Sequence, residues 1–289
     1  MRKHLVATLF LLASFPALAT MEDALSDFKK GNYGAAVKEL NSLGDAGDMS
    51  AQIMLGALYN KGGAVARDDK MAAAWFEKAA NQGNAEAQYQ LGNLYENSQL
   101  TKDYKTAADW YHKAAQQGSA KAQARLGVFY SGGMGVNKNA NEALLWSGKA
   151  ALQGNMEAEF LLGLMYMLGE VIPQNETLAR GWLTKAAAQS HPNSLLLLAG
   201  MYKEGDGGTK DPILAYALNK LAITYQTDMT TDAIKMRKTL ADTLSLGHID
   251  TSNKLAAELQ KPNNFSPALN AYINKAHQPP FRFFERPAK

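Results

Sequence analysis

Residues 51–84 read AQIMLGALYNKGGAVARDDKMAAAWFEKAANQGN, and the chain repeats this phrase with variations four more times. The tyrosine that ends its first apolar run falls at Tyr59, Tyr95, Tyr130, Tyr166 and Tyr202, a spacing of 35 or 36 residues. Gly56, Gly92, Gly127 and Gly163 stand three residues before it, and Ala199 fills the fifth slot. Sixteen residues after the tyrosine (fifteen in the second copy) come Trp75, Trp110, Trp146 and Trp182, the four tryptophans of the chain, and then Leu218. A period of this size marks stacked supersecondary units, none of which can bury its apolar faces alone. It turns expectation from catalysis towards binding.

Within one unit, Ala51, Leu55, Leu58 and Tyr59 recur at i, i+4, i+7 and i+8, one face of a helix. Gly56 lies mid-helix, where glycine costs up to ~1 kcal/mol against alanine. Its recurrence implies a neighbouring helix so close that no side chain fits. A glycine-rich turn follows, Gly62-Gly63-Ala64-Val65, with Gly133-Met134-Gly135-Val136 as its counterpart. Seven residues before each tryptophan slot comes Asp68, Asp103, Asn139, Asn175 or Asp211. Such side chains start helices by accepting a bond from an otherwise unpaired N–H. Pro212, after Asp211, suits the first helical position. The second helix carries Trp75 and Ala79 on one face and stops at Gly83, Gly118 and Gly154, with Ser190 in the fourth copy. Each unit is therefore expected to be an antiparallel helix pair, and the recurring Lys-Ala-Ala (78–80, 113–115, 149–151, 185–187) permits close packing between helices.

On these residues the chain resembles the Sel1-like repeats, relatives of the tetratricopeptide family. The matching segments begin LGALYNKGGAV, LGNLYENSQL, LGVFYSGGMGV, LGLMYMLGEVI and, in degenerate form, LAGMYKEGDGG, and together cover about residues 49–224. The second copy departs from the pattern at Ser98 and Leu100, where glycines are expected, and the fifth lacks both mid-helix glycine and tryptophan. The resemblance implies an all-α fold, a right-handed α/α superhelical solenoid of about five helix pairs with capping helices at both ends. It also implies a non-enzymatic scaffold of the kind found in signalling, envelope assembly and host–microbe contact.

Around the repeats, residues 20–48 read as an N-terminal capping pair, 225–260 as closing helices, and 261–289 as a flexible tail rich in proline and aromatic residues. Residues 1–19 have the form of a signal peptide: Arg2, Lys3 and His4, an apolar run from Leu5 to Phe15, and Ala17-Leu18-Ala19 as a cleavage site. The apolar run is shorter than the ~20 residues that span a bilayer. Cleavage after Ala19 and a periplasmic or secreted location are expected, with no transmembrane segment. Loss of Arg2 and Lys3 would lower the formal charge from +3 to +1, which offers no concentrated positive field for nucleic acid. There is no cysteine, hence no disulfide, thiolate chemistry, cysteine-ligated metal or lipidated cysteine.

No catalytic, cofactor or metal constellation emerges. His112, His191, His248 and His277 are scattered, and Gly205 to Lys210 lacks the Gly-Lys-Ser/Thr ending of a phosphate loop. The tyrosine and tryptophan rows, at helical spacing within a repeat, read as core rather than as a ligand channel. In related solenoids the first helix of each pair lines the concave face, so its non-core positions are the place to seek a partner site. In copies one to three these are mixed (Met54, Ala57 and Asn60; Gln90, Asn93 and Glu96; Arg125, Val128 and Ser131); in the fourth and fifth they become Leu161, Leu164, Met167 and Leu197. Such a stripe is either covered by the closing helices or the tail, or is a hydrophobic groove for a partner peptide. The segment Phe281-Arg282-Phe283-Phe284 has the character of a docking peptide, for this molecule or another. The expected function is that of a monomeric exported adaptor binding a protein or peptide. A regulator or inhibitor of a peptidoglycan enzyme and a secreted factor recognising a host protein are the alternatives. β-Lactam hydrolysis ranks last, because the disulfide-stapled pattern of the relatives linked to it is missing.

Overall fold

The repeat unit is a helix pair whose every junction is closed by local hydrogen bonds. The computed structural model describes residues 20–98 and 102–276. The expected leader, Leu100 and the segment Phe281–Phe284 lie outside these residues. Among those described there are fifteen α-helices and no strand. Helices α1 (Met21–Lys29) and α2 (Tyr33–Asp45) precede the repeats. The pairs follow as α3 (Met49–Lys61) with α4 (Asp69–Asn81), α5 (Ala85–Asn97) with α6 (Tyr104–Gln116), α7 (Ala120–Gly132) with α8 (Ala140–Leu152), α9 (Met156–Leu168) with α10 (Glu176–Ala188), and α11 (Pro192–Glu204) with α12 (Pro212–Thr224). Helices α13 (Thr230–Thr243), α14 (Leu246–Leu259) and α15 (Phe265–Ala276) close the described chain.

Inside each pair the tyrosine and the capping residue meet. The carbonyls of Tyr59, Tyr95, Tyr130, Tyr166 and Tyr202 accept the N–H of Asp68, Asp103, Asn139, Asn175 and Asp211 at 2.7–2.9 Å. The side chains of those five residues then accept first-turn N–H groups of the second helix, as for Asp68 from Lys70 and Met71. Between pairs, three residues end one helix and start the next. Gly83, Gly118, Gly154 and Ser190 adopt positive φ of 90°, 92°, 76° and 68°. The following residue donates its N–H back to the finished helix, as Asn84 does to Ala79 at 3.3 Å and Asn155 to Ala150 at 3.1 Å. Its side chain caps the new one. These short joints set the period.

The mid-helix glycines sit where the paired helix inserts a side chain. A Cβ on Gly56 would fall 2.6 Å from the Phe76 ring, and one on Gly163 would fall 2.7 Å from Leu183. Each intruding residue directly follows its tryptophan. At the turn of the second copy, where Ser98 stands in place of a glycine, the Ser98 hydroxyl donates to Asp69 at 2.6 Å, and Asp69 also pairs with Arg67 at 2.9 Å.

The described residues fall into two compact units whose boundary lies inside α6, between Trp110 and Tyr111. In the first, Leu40, Leu55 and Trp75 form one core cluster and Phe76, Leu91 and Ala79 another. In the second, Leu183, Leu195, Leu198, Leu214, Leu218, Ala233, Leu255 and Phe265 form a continuous core that joins α10 to α15. The tryptophans Trp75, Trp110 and Trp146 are buried, and lysine ammonium groups cover Trp75, Trp146 and Trp182 at 3.8–4.4 Å from the ring centres. The aromatic rows are therefore packing elements. One sequence expectation is corrected: residues 261–289 are not one flexible tail, because α15 occupies Phe265–Ala276. Its Phe265 and Leu269 are buried in the core of the second unit, a long-range anchor that composition does not reveal.

Candidate functional site

The four apolar residues singled out from the sequence are all half-buried in the second unit, and the structure divides them between two grooves. Leu161 and Leu164 on α9 line the smaller, of about 190 Å³, with Lys138, Leu168 and Val171. Leu161 is seated over Gly127 of α7, where an added Cβ would lie 3.3 Å from its Cδ2. Met167, on the next turn of α9, does not line this groove. With Leu197 of α11 it lines a groove of about 340 Å³ whose opposite wall is Met229, Asp232 and Met236 at the start of α13.

This larger groove has a definite chemistry. Leu196 and Met201 form a buried base, and Met167, Leu197, Met229 and Met236 are half-exposed above it. Unbranched thioether side chains adapt their shape to whatever they meet. Glu204, Asp206 and Asp232 give the lip negative charge, and Lys203 is engaged in an ion pair with Glu204. That ion pair holds the Glu204 carboxyl below its ordinary range. Closing helix α13 is thus a wall of the groove, so the stripe is only partly covered. The contributions of Met229, Asp232 and Met236 were missed in the sequence because α13 lies beyond the repeats and no periodicity assigns it to α11.

The remaining sequence candidates stand apart. Gln90 and Asn93 belong to the first unit, where Gln90 donates to Glu86 at 2.7 Å and Asn93 accepts from Asn97 at 2.7 Å. Arg125 faces Glu157. The His191 ring, with Nε2 3.7 Å from the Glu157 carboxylate, holds that carboxyl low, and the Arg125 charge adds to the effect. In the first unit a further groove, of about 540 Å³, is lined by Phe28, Tyr33, Met54 and Leu58 beside the turn at Gly62 and Gly63.

A polar ladder that the sequence reading overlooked holds the helices beneath these surfaces. Buried Gln52, Gln88 and Gln123 each donate to a carbonyl eight residues earlier, at Gly44, Ala80 and Ala115, at 2.9–3.1 Å. Gln52 and Gln123 also accept from Gln82 and Gln153, thirty residues later, at 2.8 and 2.7 Å. In the fourth copy Glu159 takes this place and accepts from Gln189 at 2.9 Å. Burial pushes its carboxyl above the ordinary range, and the Gln189 bond offsets part of that. The recurrence of glutamine at positions 52, 88 and 123 was the available signal. The next helix, α11, is capped by His191, whose Nδ1 accepts the Ser194 N–H at 3.1 Å.

Among the described residues no group of three or more histidine, aspartate or glutamate side chains could hold a metal ion. The turn at Gly205–Lys210 is used internally: the Gly207 N–H donates to the Glu176 carboxylate at 3.1 Å, and Arg180 donates to the Thr209 carbonyl at 3.2 Å. No helix among the described residues is long and apolar enough to cross a membrane. What the grooves offer is apolar surface edged with charge, the material of macromolecular recognition.

No curated protein matches this sequence. Among solved structures, a Sel1 repeat protein from Oxalobacter formigenes is 28% identical, with a TM-score of 0.66 over 90% of this chain and 97% of that one. A protective antigen present in uropathogenic Escherichia coli strains, with the same repeat fold, is 24% identical, with a TM-score of 0.52 over 90% of this chain and 64% of that one. The Sel1 repeat itself matches five times in succession, at residues 50–84, 85–119, 120–155, 157–191 and 192–224. These spans coincide with the five helix pairs from α3 to α12, and the chain belongs to the Sel1 repeat family.

Proposed function

We propose that this protein is an exported, non-enzymatic adaptor that seats an apolar, basic segment of another protein in the groove walled by α9, α11 and α13. The observation that carries the reading is the apolar lining of Met167, Leu197, Met229 and Met236, half-exposed and edged by Glu204, Asp206 and Asp232. An apolar lining with an adaptable shape supplies affinity, and the acidic lip selects charge and orientation. Membership of a repeat family whose solenoids mediate protein interactions supports the same reading. Export rests on the leader-like residues 1–19, with a periplasmic or secreted destination.

The test is crosslinking in intact cells followed by affinity purification and mass spectrometry, with Leu164→Glu/Met167→Glu set beside the wild type. The two substitutions place a carboxylate in each groove of α9. Burying an unpaired charge costs well over the ~1.4 kcal/mol that corresponds to tenfold in affinity. One envelope or extracellular protein should therefore be depleted at least tenfold from the variant, whose far-ultraviolet circular dichroism stays unchanged. Identical protein sets from both chains would refute the site.

A further inference from the structure

The chain carries, beyond α15, a segment complementary to its own groove. We propose that Phe281–Phe284 folds back in cis into the groove of α9, α11 and α13, so that the protein holds its own occupant until a partner displaces it. The docking in cis goes beyond the adaptor reading and stands without it; only the displacement by a partner rests on that reading.

The first argument is where the chain leaves the described structure. Helix α15 ends at Ala276. One turn earlier the Tyr272 hydroxyl donates to the Asp211 carboxylate at 3.2 Å, and the Asp211 N–H donates to the Tyr202 carbonyl at 2.7 Å. Lys203 and Glu204, which directly follow Tyr202, belong to the groove's lip. The last described turn of α15 is thus pinned to the start of α12, the helix that follows groove-lining α11 in the chain.

The second argument is reach. His277, Gln278, Pro279 and Pro280 separate Ala276 from Phe281. At ~3.3–3.6 Å per extended residue, this link gives Phe281 a reach of at most about 17 Å from the end of α15. The two prolines favour an extended link and lower the entropy lost on docking.

The third argument is chemistry. Residues 281–289 carry Arg282, Arg286 and Lys289 against one acid, Glu285. The lip opposes them with Glu204, Asp206 and Asp232. Three phenylalanines in four residues meet a lining rich in methionine, and thioether–aromatic contacts are favourable. The groove, at about 340 Å³, has room for aromatic side chains.

A tethered segment acts at an effective concentration in the millimolar range. It should weaken binding of any free competitor by ~10–100-fold when its own dissociation constant is in the tens of micromolar. The experiment uses full-length chain labelled with carbon-13 at the methionine methyl groups. The wild type is set beside Phe281→Ala/Phe283→Ala/Phe284→Ala, and the probe is a synthetic peptide of residues 277–289. The methyl signals of Met167, Met229 and Met236 should move in the variant, while those of Met49, Met54 and Met71 in the first unit stay in place. The peptide should restore the groove signals of the variant and bind the wild type at least tenfold more weakly. Identical groove signals in both chains would overturn the proposal, as would a shift confined to Met54. Groove signals that move with protein concentration, alongside a doubled sedimentation mass, would assign the tail to a second copy and overturn docking in cis. Because only this chain and its own peptide are used, failure here leaves the partner experiment standing, and the reverse.

Discussion

Gly56→Ala tests the physical reason for the repeat's most regular feature. A Cβ at this position would lie 2.6, 2.7 and 2.8 Å from three atoms of the Phe76 ring. Ordinary carbon–carbon contact is ~3.5–4.0 Å, so the ring must retreat by about 1 Å. It has little room, since Phe76 is 1% exposed and packed among Ala72, Ala79 and Leu91. Overpacking of this kind costs ~1–3 kcal/mol. Alanine recovers up to ~1 kcal/mol of helix propensity. The expected net loss is about 1–2 kcal/mol, whereas an exposed helical glycine would show a gain, so the sign alone is informative. Urea unfolding followed by circular dichroism measures it, with amide exchange on α3 and α4 to catch local opening of a repeat array. Phe76→Leu in the same background should relieve the clash, giving a coupling of ~0.5–3 kcal/mol in a double-mutant cycle. A Gly56→Ala chain more stable than wild type, or two effects that merely add, would refute the argument.

Further outcomes follow from the ladder and the caps. Because burial raises the Glu159 carboxyl's pKa, its proton is held more tightly in the folded chain. That contribution is fully present below the unfolded value of ~4.3 and is lost as pH rises through the folded one. Glu159→Gln should therefore stabilise by about 1 kcal/mol at neutral pH, with an advantage over wild type that grows as pH rises from the unfolded value through the raised folded one and then levels off in urea titrations; a constant difference would contradict this. Gln123→Ala removes two hydrogen bonds, leaving the Ala115 carbonyl with the Gly118 N–H alone and the Gln153 amide with only its 3.5 Å contact to the Lys149 carbonyl, and should cost ~1–3 kcal/mol. A loss below ~0.5 kcal/mol by the same titration would mean that water replaces the ladder without penalty. Asn139→Ala removes the cap of Asn141 and Glu142 and should cost ~1 kcal/mol, seen as faster amide exchange at those two residues.

The all-α class, the five pairs, the capping aspartates and asparagines and the left-handed stops were legible in the sequence by itself. Each depends on residues within a few positions of one another: a cap reads its own first turn, a stop reads one φ, and an apolar face reads a 3.6-residue period. The mid-helix glycines were legible as a demand for space, although the residue that takes the space differs from copy to copy: Phe76 in the first, Leu183 in the fourth. Half of the candidate groove was visible too, since Met167 and Leu197, like Leu161 and Leu164 of the smaller one, make uniformly apolar a set of positions that is mixed in earlier copies. Tertiary structure decided the rest. It separated Leu161 and Leu164 from Met167, brought α13 against α11, and drew Phe265 and Leu269 into the core. It also joined Gln52 to Gln82 and Gln123 to Gln153. These contacts link residues thirty or more positions apart, or lie beyond the last repeat where no period extends. Their pairing is set by which apolar surfaces exclude water from one another, a property of the folded whole rather than of any local run of residues.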